Sequence, residues 1–318
     1  MRYTPATGRP PHRILARPAV TLLLLAQTAC GLPSAEHVVP EKVADLDGYS
    51  EGIVFDTAGV AYVSLEHRRV VVRIAPGRSP EPWLDIDGPN GHRILPDGSH
   101  LIAARGGVFH VAADGRKLDS VVVRSTGGPE LLPNDLALDG HDGFYVTAPA
   151  DREEDRAAGS RIFYVDSARQ VREVASGFVY PNGIVVRPDG RALLVDDGGT
   201  NAVYRFDIVG PGDLRNQTLF ASLPDSGRAY PDGMTLDAAG RLYVAHYGVG
   251  LVEVLAPDGR LLRRYPAGNQ LASNVAFGGP GLGDLFVTGA PEDEQGAGIL
   301  TRLATGVRGR KGSALPRP

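Results

Sequence analysis

Tyr230-Pro231-Asp232-Gly233-Met234-Thr235-Leu236-Asp237, followed after a short turn by Leu242-Tyr243-Val244-Ala245, is the clearest copy of the unit that decides the fold. Each half is an apolar run of strand length, and a Gly-containing turn separates the two halves. The same unit, a polar entry residue followed by two apolar runs around a Gly turn, occurs six times along the chain. An internal repeat of this kind indicates a modular architecture rather than a single irregular domain.

The six entry residues are separated by 39, 44, 48, 50 and 42 positions; they are Glu51, Asn90, Asn134, Asn182, Asp232 and Asn274. Repeats of this length, with about four short strands each, are typical of propeller blades. Further strands are predicted at Val70–Ile74, Val108–Ala112, Arg161–Val165 and Ala202–Phe206. The sequence therefore predicts an all-β, six-bladed β-propeller with four-stranded antiparallel blades over residues 37–306. An open array or two sandwiches is the alternative.

A propeller has to close its ring, and six repeats leave residues 37–46 unassigned. This stretch is β-like, and we expect it to supply the outer strand of the last blade. Residues 30–36 are predicted to be a linker. The basic segment 307–318 is predicted to be a disordered tail.

The first 29 residues differ from the rest of the chain. They contain four arginines and no acid, followed by the apolar run Ala19–Ala26. A basic segment before a short apolar run predicts a signal peptide for export, with a disordered basic arm as the alternative. Cys30, the only cysteine, comes directly after this segment in a context that resembles the lipobox of bacterial lipoproteins. We therefore expect lipidation at Cys30 and an exported, membrane-anchored lipoprotein, with plain secretion as the alternative.

Charge limits the partners. The chain has 33 basic and 37 acidic residues, and without the four arginines of the signal peptide the net charge falls from −4 to −8. A surface this acidic argues against a nucleic-acid partner. Contact with a membrane is expected only through the lipid anchor.

In a propeller the first strand of each blade lines the central channel, so residues at one phase of the repeat form a ring. Here the ring consists of the six entry residues, four amides and two carboxylates. Ca²⁺ prefers such oxygen ligands, and two carboxylates balance its charge. Ca²⁺ is therefore the favoured cofactor, while Mg²⁺, Mn²⁺ and Zn²⁺ stay open because loosely built oxygen sites accept several ions. The alternative is that these are ordinary turn residues before strands.

The motifs Glu51-Gly52, Pro133-Asn134-Asp135, Pro181-Asn182-Gly183 and Tyr230-Pro231-Asp232-Gly233 resemble those of the SMP-30/gluconolactonase family, also called regucalcin-like, over about residues 45–305. The resemblance implies that Glu51, Asn134, Asn182 and Asp232 bind the cation and that Asp232 is the catalytic base or nucleophile. Family members that bind sugar acids place an Arg two residues before the blade-3 Asn. Leu132 stands at that position here and argues against a sugar-acid lactone.

The predicted function is metal-dependent hydrolysis of a small lactone or ester, with Asp232 activating water and Asn134 positioning substrate. Asn90, His92 and His246 are further candidates for substrate binding, because His92 is two residues past Asn90 and His246 ends a strand. A hydrogen-bonded structural role is the alternative for both histidines. The alternative functions are phosphotriester or fluorophosphate hydrolysis, as in the related fluorophosphatases, and non-catalytic ligand binding by an exported propeller. Segment 151–156 is predicted to be a solvated loop, and the resemblance implies as the alternative a lid over the channel mouth. Residues 292–294 are expected to flank the same mouth.

Overall fold

The computed structural model describes residues 37–124, 130–224 and 227–310. The predicted signal peptide, linker and Cys30, together with residues 311–318 of the predicted tail, lie outside the described residues. The described chain forms six four-stranded antiparallel sheets, which confirms the predicted six-bladed propeller. Within this part of the chain no helix is long and apolar enough to cross a membrane.

The strands run outward from the channel in each blade. Blade 1 contains β2–β5 (Ser50–Phe55, Ala61–Leu65, Val70–Ile74 and Glu81–Asp85), and blade 2 contains β6–β9 (His92–Ile94, His100–Ala104, Gly107–Val111 and Lys117–Val121). Blade 3 contains β10–β13 (Leu136–Leu138, Phe144–Ala148, Arg161–Val165 and Val171–Ser176), and blade 4 contains β14–β17 (Pro181–Val186, Ala192–Asp197, Ala202–Gly210 and Asp213–Ser222). Blade 5 contains β18–β21 (Tyr230–Leu236, Leu242–Tyr247, Leu251–Leu255 and Leu261–Pro266).

Blade 6 joins the two ends of the propeller. It contains β22–β24 (Leu271–Gly278, Asp284–Ala290 and Gly298–Leu303), and its outer strand is β1 (Glu41–Leu46), which pairs antiparallel with β24. The prediction that the N-terminal stretch closes the last blade is confirmed. Closure removes the exposed edge that an unpaired β24 would leave.

Two predicted strands match the structure at both ends, Val70–Ile74 and Arg161–Val165. The strand predicted from Val108 is displaced by one residue, and the one predicted to end at Phe206 runs four residues further. The hairpin formed by β16 and β17 is therefore longer than predicted. Polar side chains contact each other across it, and the Asn216 side chain, for example, donates a hydrogen bond to Asp207. Short helical turns occur at Glu66–Arg68, Glu153–Asp155 and Pro280–Leu282, and α1 spans Arg156–Gly159.

The core consists of apolar layers between neighbouring blades, one at each of the six interfaces. Phe286 and Leu300 of blade 6, for example, pack with Ile53 and Val63 of blade 1. Because both faces of every blade are covered, the inner strands read as nearly continuous apolar runs. Packing around the whole circle positions six inner strands about one axis.

The C-terminal segment differs from its prediction as a disordered tail. Residues 307–310 lie against the end of the propeller, where Gly309 bridges Asp237 and donates a hydrogen bond from its backbone N–H to the Leu282 carbonyl oxygen. Val307 is buried. These backbone bonds give the segment a fixed position that a basic composition alone did not indicate.

Candidate metal and active site

The six entry residues lie at one end of the channel, and all are buried. In blades 1, 4, 5 and 6 the pairing of the inner strand with the second strand is irregular at the entry residue, between Ser50 and Ile53 and at the equivalent places. In blades 2 and 3 the inner strand begins two residues after the entry residue. Such irregularities release a side chain from the regular alternation of the strand and change its direction. The six entry residues therefore form a ring around the channel, which we call the polar ring.

Glycines after the entry residues let the inner strands approach closely. A Cβ on Gly52 would lie 2.2 Å from the Asn90 carbonyl oxygen, and one on Gly183 would lie 2.4 Å from the Asp232 carbonyl oxygen. Gly91 and Gly233 are in the same situation against Asn134 and Asn274. Close approach of the next blade, by backbone at Gly52, Gly91 and Gly183 and by the Asn274 side chain at Gly233, explains why Gly follows four of the six ring residues.

Hydroxyl groups on neighbouring blades hold the ring backbone. Ser64 donates to the Asn90 carbonyl oxygen at 2.7 Å, and Thr147 donates to the Asn182 carbonyl oxygen at 2.6 Å. Blade 6 holds blade 1 in the same way, through the Ser273 hydroxyl and the Ser50 carbonyl oxygen at 2.6 Å. Each bond links one blade to the next, so the ring geometry depends on the closed propeller.

Four ring oxygens are buried without a hydrogen-bond partner: Glu51 Oε2, Asn90 Oδ1, Asn134 Oδ1 and Asp232 Oδ1. Buried polar atoms normally have partners, and each orphan costs free energy. Burial raises the pKa of Glu51 well above its usual range, and the charge of Asp232 raises it further. Burial and the charge of Asp196 raise the pKa of Asp232 well above its usual range. A hydrogen bond from the Asn182 side chain acts in the opposite direction and lowers this pKa.

A hard divalent cation fits this set of atoms. It would satisfy the unpaired oxygens and offset two buried negative charges. Of the predicted ligands, Glu51, Asn134 and Asp232 carry orphan oxygens, and Asn182 contacts Asp232. Within the described ranges no three His, Cys, Asp or Glu side chains gather as a metal cluster; the proposed set contains only two carboxylates and relies on amides for the rest. Asn274 is different, because its Oδ1 accepts the Val275 N–H at 2.9 Å.

His92 is placed away from the polar ring. It is fully buried, its Nε2 lies 2.8 Å from His100 Nδ1, and it packs beside Tyr62 and Trp83 between blades 1 and 2. The irregular pairing at Asn90 and Gly91 explains the difference from the prediction, because a slipped residue turns the following side chains to another face. These contacts account for its position in a blade interface, and its predicted role in substrate binding stays a prediction.

His246 is also fully buried, and its Nδ1 lies 2.9 Å from Glu253 Oε1. Arg264 donates to the same carboxylate oxygen at 3.0 Å. His246 pairs in register with Pro231, next to Asp232 in the chain, and its Nε2 has no hydrogen-bond partner. The buried contact with Glu253 accounts for its position, and its predicted role in substrate binding stays a prediction.

The adjacent residues Asp196 and Asp197 have different environments. Asp197 accepts backbone N–H groups of Tyr180 and Gly199, so it caps a turn. Asp196 is fully buried, and burial together with the charges of Asp197 and Asp135 raises its pKa well above the usual range, which the backbone N–H groups of Gly183 and Asn182 partly oppose. Asp196 lies at the same position of the second strand as Thr147 in blade 3, opposite the residue that follows the ring residue. Its carboxyl group therefore lies next to Asn182 and Asp232.

The mouth of the channel carries tyrosines that sequence reasoning missed. Tyr49 donates to Glu51 Oε1 at 3.2 Å, and Tyr180 and Tyr230 each stand two residues before a ring residue. Their repeated phase was a usable signal, because residues two apart in an extended chain share a side. Arg156 of α1 lies 4.3 Å from the Tyr180 ring centre, and Tyr247 donates to Glu294 at 2.6 Å. Segment 151–156 and residues 292–294 therefore each have a residue in contact with these tyrosines.

A cavity of about 1040 Å³ opens at the opposite end of the channel. It is lined by residues further along the same inner strands, such as Ile53–Phe55 and Ile184–Val186, and it contains none of the ring residues. Arg93, which lines it, forms a 3.1 Å ion pair with Asp135. This cavity is thus separate from the orphan oxygens of the polar ring.

Comparison with known proteins gives consistent results. A family model described as the SMP-30/gluconolactonase/LRE-like region matches residues 49–291. A pentonolactonase of Haloferax volcanii is 30% identical over 262 residues, covering 72% of this chain and 87% of that protein. The diisopropyl-fluorophosphatase of Loligo vulgaris is 28% identical over 257 residues, covering 72% and 81%.

Solved structures share the fold. A calcium-binding protein, regucalcin, from Agrobacterium tumefaciens has a TM-score of 0.74 at 22% identity and covers 87% of this chain and 98% of its own. A gluconolactonase from Xanthomonas campestris has a TM-score of 0.70 at 24% identity, with coverage of 85% and 91%. These two similarities support the propeller fold.

Proposed function

Because this chain belongs to the SMP-30/gluconolactonase/LRE-like family, we propose that it is a cation-dependent hydrolase of lactone-type esters. The observation that carries the proposal is the group of unpaired, buried oxygens around Asp232. The family and its lactonase members make hydrolysis the shared chemistry. The polar ring supplies the groups that such chemistry needs.

Glu51, Asn134, Asn182 and Asp232 would hold the cation, with Ca²⁺ as the favoured ion and Mg²⁺, Mn²⁺ or Zn²⁺ as alternatives. A divalent cation bound there supplies Lewis-acid polarisation of the substrate carbonyl oxygen. The two carboxylates match its charge, and the amides contribute neutral oxygens.

Asp232 acts as the general base. Burial raises the pKa of this carboxyl, and a bound divalent cation would oppose that rise, so that the carboxylate would be ionised and able to accept a proton at neutral pH. It takes a proton from water as the water oxygen bonds to the carbonyl carbon. The bond from that carbon to the ring oxygen then breaks, and the ring oxygen leaves with a proton to give a hydroxy acid.

Asn134 and Asn182 orient the substrate and Asp232. The hydrogen bond from the Asn182 side chain keeps the Asp232 carboxylate in one orientation, and a fixed base avoids the cost of reorganisation during reaction. Asn90, with its own unpaired Oδ1, lies at the adjacent ring position, where it would contact a bound substrate.

Fluorophosphate or phosphotriester hydrolysis is the second candidate, favoured by the 28% identity to the Loligo vulgaris enzyme. In that reaction Asp232 would attack phosphorus and displace the leaving group. The two candidates use the same ring and differ in the electrophile.

The test is an assay of the purified protein on lactones, aryl esters and phosphotriesters, with and without EDTA. We expect lactone hydrolysis that EDTA abolishes and added Ca²⁺ restores. Asp232→Asn should retain the fold and lose turnover. The control variant Asp258→Asn should retain turnover, because Asp258 lies in an exposed turn, where it accepts the Arg260 N–H. Full activity of Asp232→Asn would exclude the mechanism, and hydrolysis of phosphotriesters alone would favour the second candidate. Cation-reversible binding without turnover would favour a non-catalytic propeller.

We also propose that the protein is exported and anchored through a lipid on Cys30. The support is the arginine-rich start, the apolar run Ala19–Ala26 and the position of the only cysteine directly after it.

A further inference from the structure

The positions two residues before the polar ring form a second set with its own chemistry. The six residues carry no charge and no amide side chain: Tyr49, Gly88, Leu132, Tyr180, Tyr230 and Ala272. Pro181 and Pro231 restrict the residue before each of them to an extended conformation. The hydrogen bond from Tyr49 to Glu51 shows that the two sets share a side. The polar ring therefore has an apolar and aromatic layer above it, on the side opposite the large cavity.

Three tyrosines of this region contact one another. Tyr230 and Tyr247 stack with ring centres 4.4 Å apart and planes at 17°, and Tyr180 meets Tyr230 edge-on at 6.3 Å. We call Tyr180, Tyr230 and Tyr247 the aromatic wall. All three are partly exposed rather than buried. A partly exposed aromatic cluster at the edge of a polar site is typical of a ligand-binding surface.

The wall is supported from behind and anchored at both ends. Gly198 lies against two of the rings, since a Cβ there would be 3.1 Å from Tyr180 and 3.4 Å from Tyr230. Arg156 covers Tyr180 from α1, and Glu294 accepts the Tyr247 hydroxyl. Fixed rings lose little conformational freedom when a ligand stacks on them.

The wall is also close to the reacting residue, because Tyr230 stands two residues before Asp232 and Tyr247 pairs with Tyr230 across β18 and β19. Burial raises the pKa of Tyr230, and the charge of Asp232, first among its neighbours, raises it further. The same carboxylate raises the pKa of Tyr180 after burial. A molecule held at Asp232 would therefore meet these rings.

Few hydrogen-bonding groups remain in this layer for a polyhydroxylated substrate. The hydroxyls of Tyr49 and Tyr247 are already bonded to Glu51 and Glu294. Leu132 and Ala272 offer none. The hydroxyls of Tyr180 and Tyr230 are left, too few for all the hydroxyls of a sugar lactone, and each hydroxyl that stays without a partner costs binding energy. Glu294 at the rim also disfavours an anionic sugar acid.

We propose that the aromatic wall binds a planar apolar substituent of a neutral lactone or aryl ester and so sets the substrate class of this site. The proposal rests on the hydrolase function proposed above. Stacking on aromatic rings contributes beyond simple burial. We expect aryl-substituted substrates to be preferred over unsubstituted and polyhydroxylated ones.

The test compares γ-phenyl-γ-butyrolactone, γ-butyrolactone and D-glucono-1,5-lactone as substrates of the full chain. The wild-type kcat/KM should be about tenfold higher for the phenyl lactone than for γ-butyrolactone, and lowest for the gluconolactone. Tyr180→Leu and Tyr247→Leu should reduce that preference by about threefold to tenfold, mainly through KM, whereas Tyr180→Phe should retain it. Phe109→Leu, which removes a partly exposed aromatic ring of blade 2 that lies under Lys117, is the matched control and should leave the preference unchanged.

A binding experiment separates the wall from the chemistry. Cyclic ketones cannot be hydrolysed, so calorimetric titration with 3-phenylcyclopentanone and cyclopentanone measures the wall alone. We expect the phenyl ketone to bind about tenfold more tightly to the wild type and Tyr180→Leu to lose this difference. Equal affinity for the two ketones would overturn the proposal, as would lactone hydrolysis with no aryl preference. Preferential ketone binding without hydrolysis of any lactone would support the wall and overturn the hydrolase function instead.

Discussion

The Thr147 hydroxyl of blade 3 donates a 2.6 Å hydrogen bond to the backbone carbonyl oxygen of Asn182 in blade 4. Both residues are buried. A side chain of one blade thus fixes the backbone of a ring residue in the next. The contact links the stability of a blade interface to the geometry of the proposed cation site.

Thr147→Val keeps the shape of the side chain and removes this bond. Since the Asn182 carbonyl oxygen then loses a buried partner, we expect a loss of about 1–3 kcal/mol in the free energy of unfolding. Cation affinity should fall as well, because Asn182 is a proposed ligand. Urea unfolding and calorimetric Ca²⁺ titration measure the two effects. Thr147→Ser keeps the hydroxyl and should resemble the wild type, and a valine variant that binds Ca²⁺ normally would argue against the link.

Glu51→Gln tests the balance of charge in the polar ring. Without a cation, the buried carboxylates of Glu51 and Asp232 repel each other. The amide should therefore raise the Tm measured in EDTA. It should also reduce the stabilisation that Ca²⁺ gives, which for the wild type at a free Ca²⁺ concentration of 100 times the Kd would be about 2.7 kcal/mol. Thermal unfolding with EDTA and with Ca²⁺ gives both numbers. An unchanged response to Ca²⁺ would remove Glu51 from the ligand set.

Gly183→Ala tests the close approach of blades 4 and 5. The added Cβ would lie 2.4 Å from the Asp232 carbonyl oxygen and 2.6 Å from Asp196 Oδ2. Neither strand can move without disturbing the ring, so we expect a loss of several-fold or more in kcat and about 2 kcal/mol or more in stability. Activity assays and urea unfolding check both. Gly283→Ala, whose Cβ would have only an ordinary 3.5 Å contact, should be neutral, and equal behaviour of the two variants would contradict the packing argument.

The buried histidine pair predicts acid sensitivity. Burial lowers the pKa of His100 to about 4, and burial together with His100 and Arg93 lowers the pKa of His92 well below its usual value. An unfolded histidine binds its proton near pH 6.5, so between about pH 6.5 and 4 the unfolded state binds more protons than the folded state. The histidine pair should therefore contribute a loss of stability as the pH is lowered through that window, by up to about 1.4 kcal/mol per pH unit for each histidine. The raised pKa values of the buried Glu51, Asp196 and Asp232 act in the opposite direction, so the contribution of the pair is measured as the difference between a histidine variant and the wild type.

Urea unfolding at pH 7.5 and 5.0 measures this loss. His100→Gln should reduce the difference between the two pH values, because one titrating group is removed. His141→Gln, at an exposed position, is the control and should leave the difference as it is in the wild type. The same difference in all three proteins would rule out the histidine pair as its cause.

Cys30→Ser tests the anchor. When the full chain is produced in a bacterial host, we expect the wild type in the membrane fraction and the serine variant in a soluble exported fraction, since a serine cannot carry the thioether-linked lipid. Fractionation followed by mass analysis of the N-terminus measures this. Identical distribution of the two proteins would exclude lipidation at Cys30.

The phase of the repeat was enough to predict the blades and the members of the polar ring. Alternation, turn residues and repeat length are local properties, and Pro181-Asn182-Gly183 and Tyr230-Pro231-Asp232-Gly233 show them without any knowledge of distant contacts. The closing strand followed from the same count, because a ring of six needs a fourth strand for its last blade. The two strands predicted to the residue, Val70–Ile74 and Arg161–Val165, lie where alternation is regular.

The tertiary structure alone decided which side chains meet. Asn90 and Gly91 both bond to Ala103, and this one-residue irregularity turns the His92 side chain into a blade interface. A period of two along the sequence does not reveal such a slip. Tyr247 joins Tyr230 because β18 and β19 pair in register, and Glu294 reaches it from another blade. The unpaired oxygens of Glu51 and Asp232 come together across blades 1 and 5, which are distant in sequence. Burial, charge and stacking at the mouth therefore depend on closure of the ring, a property of the folded chain that no local segment contains.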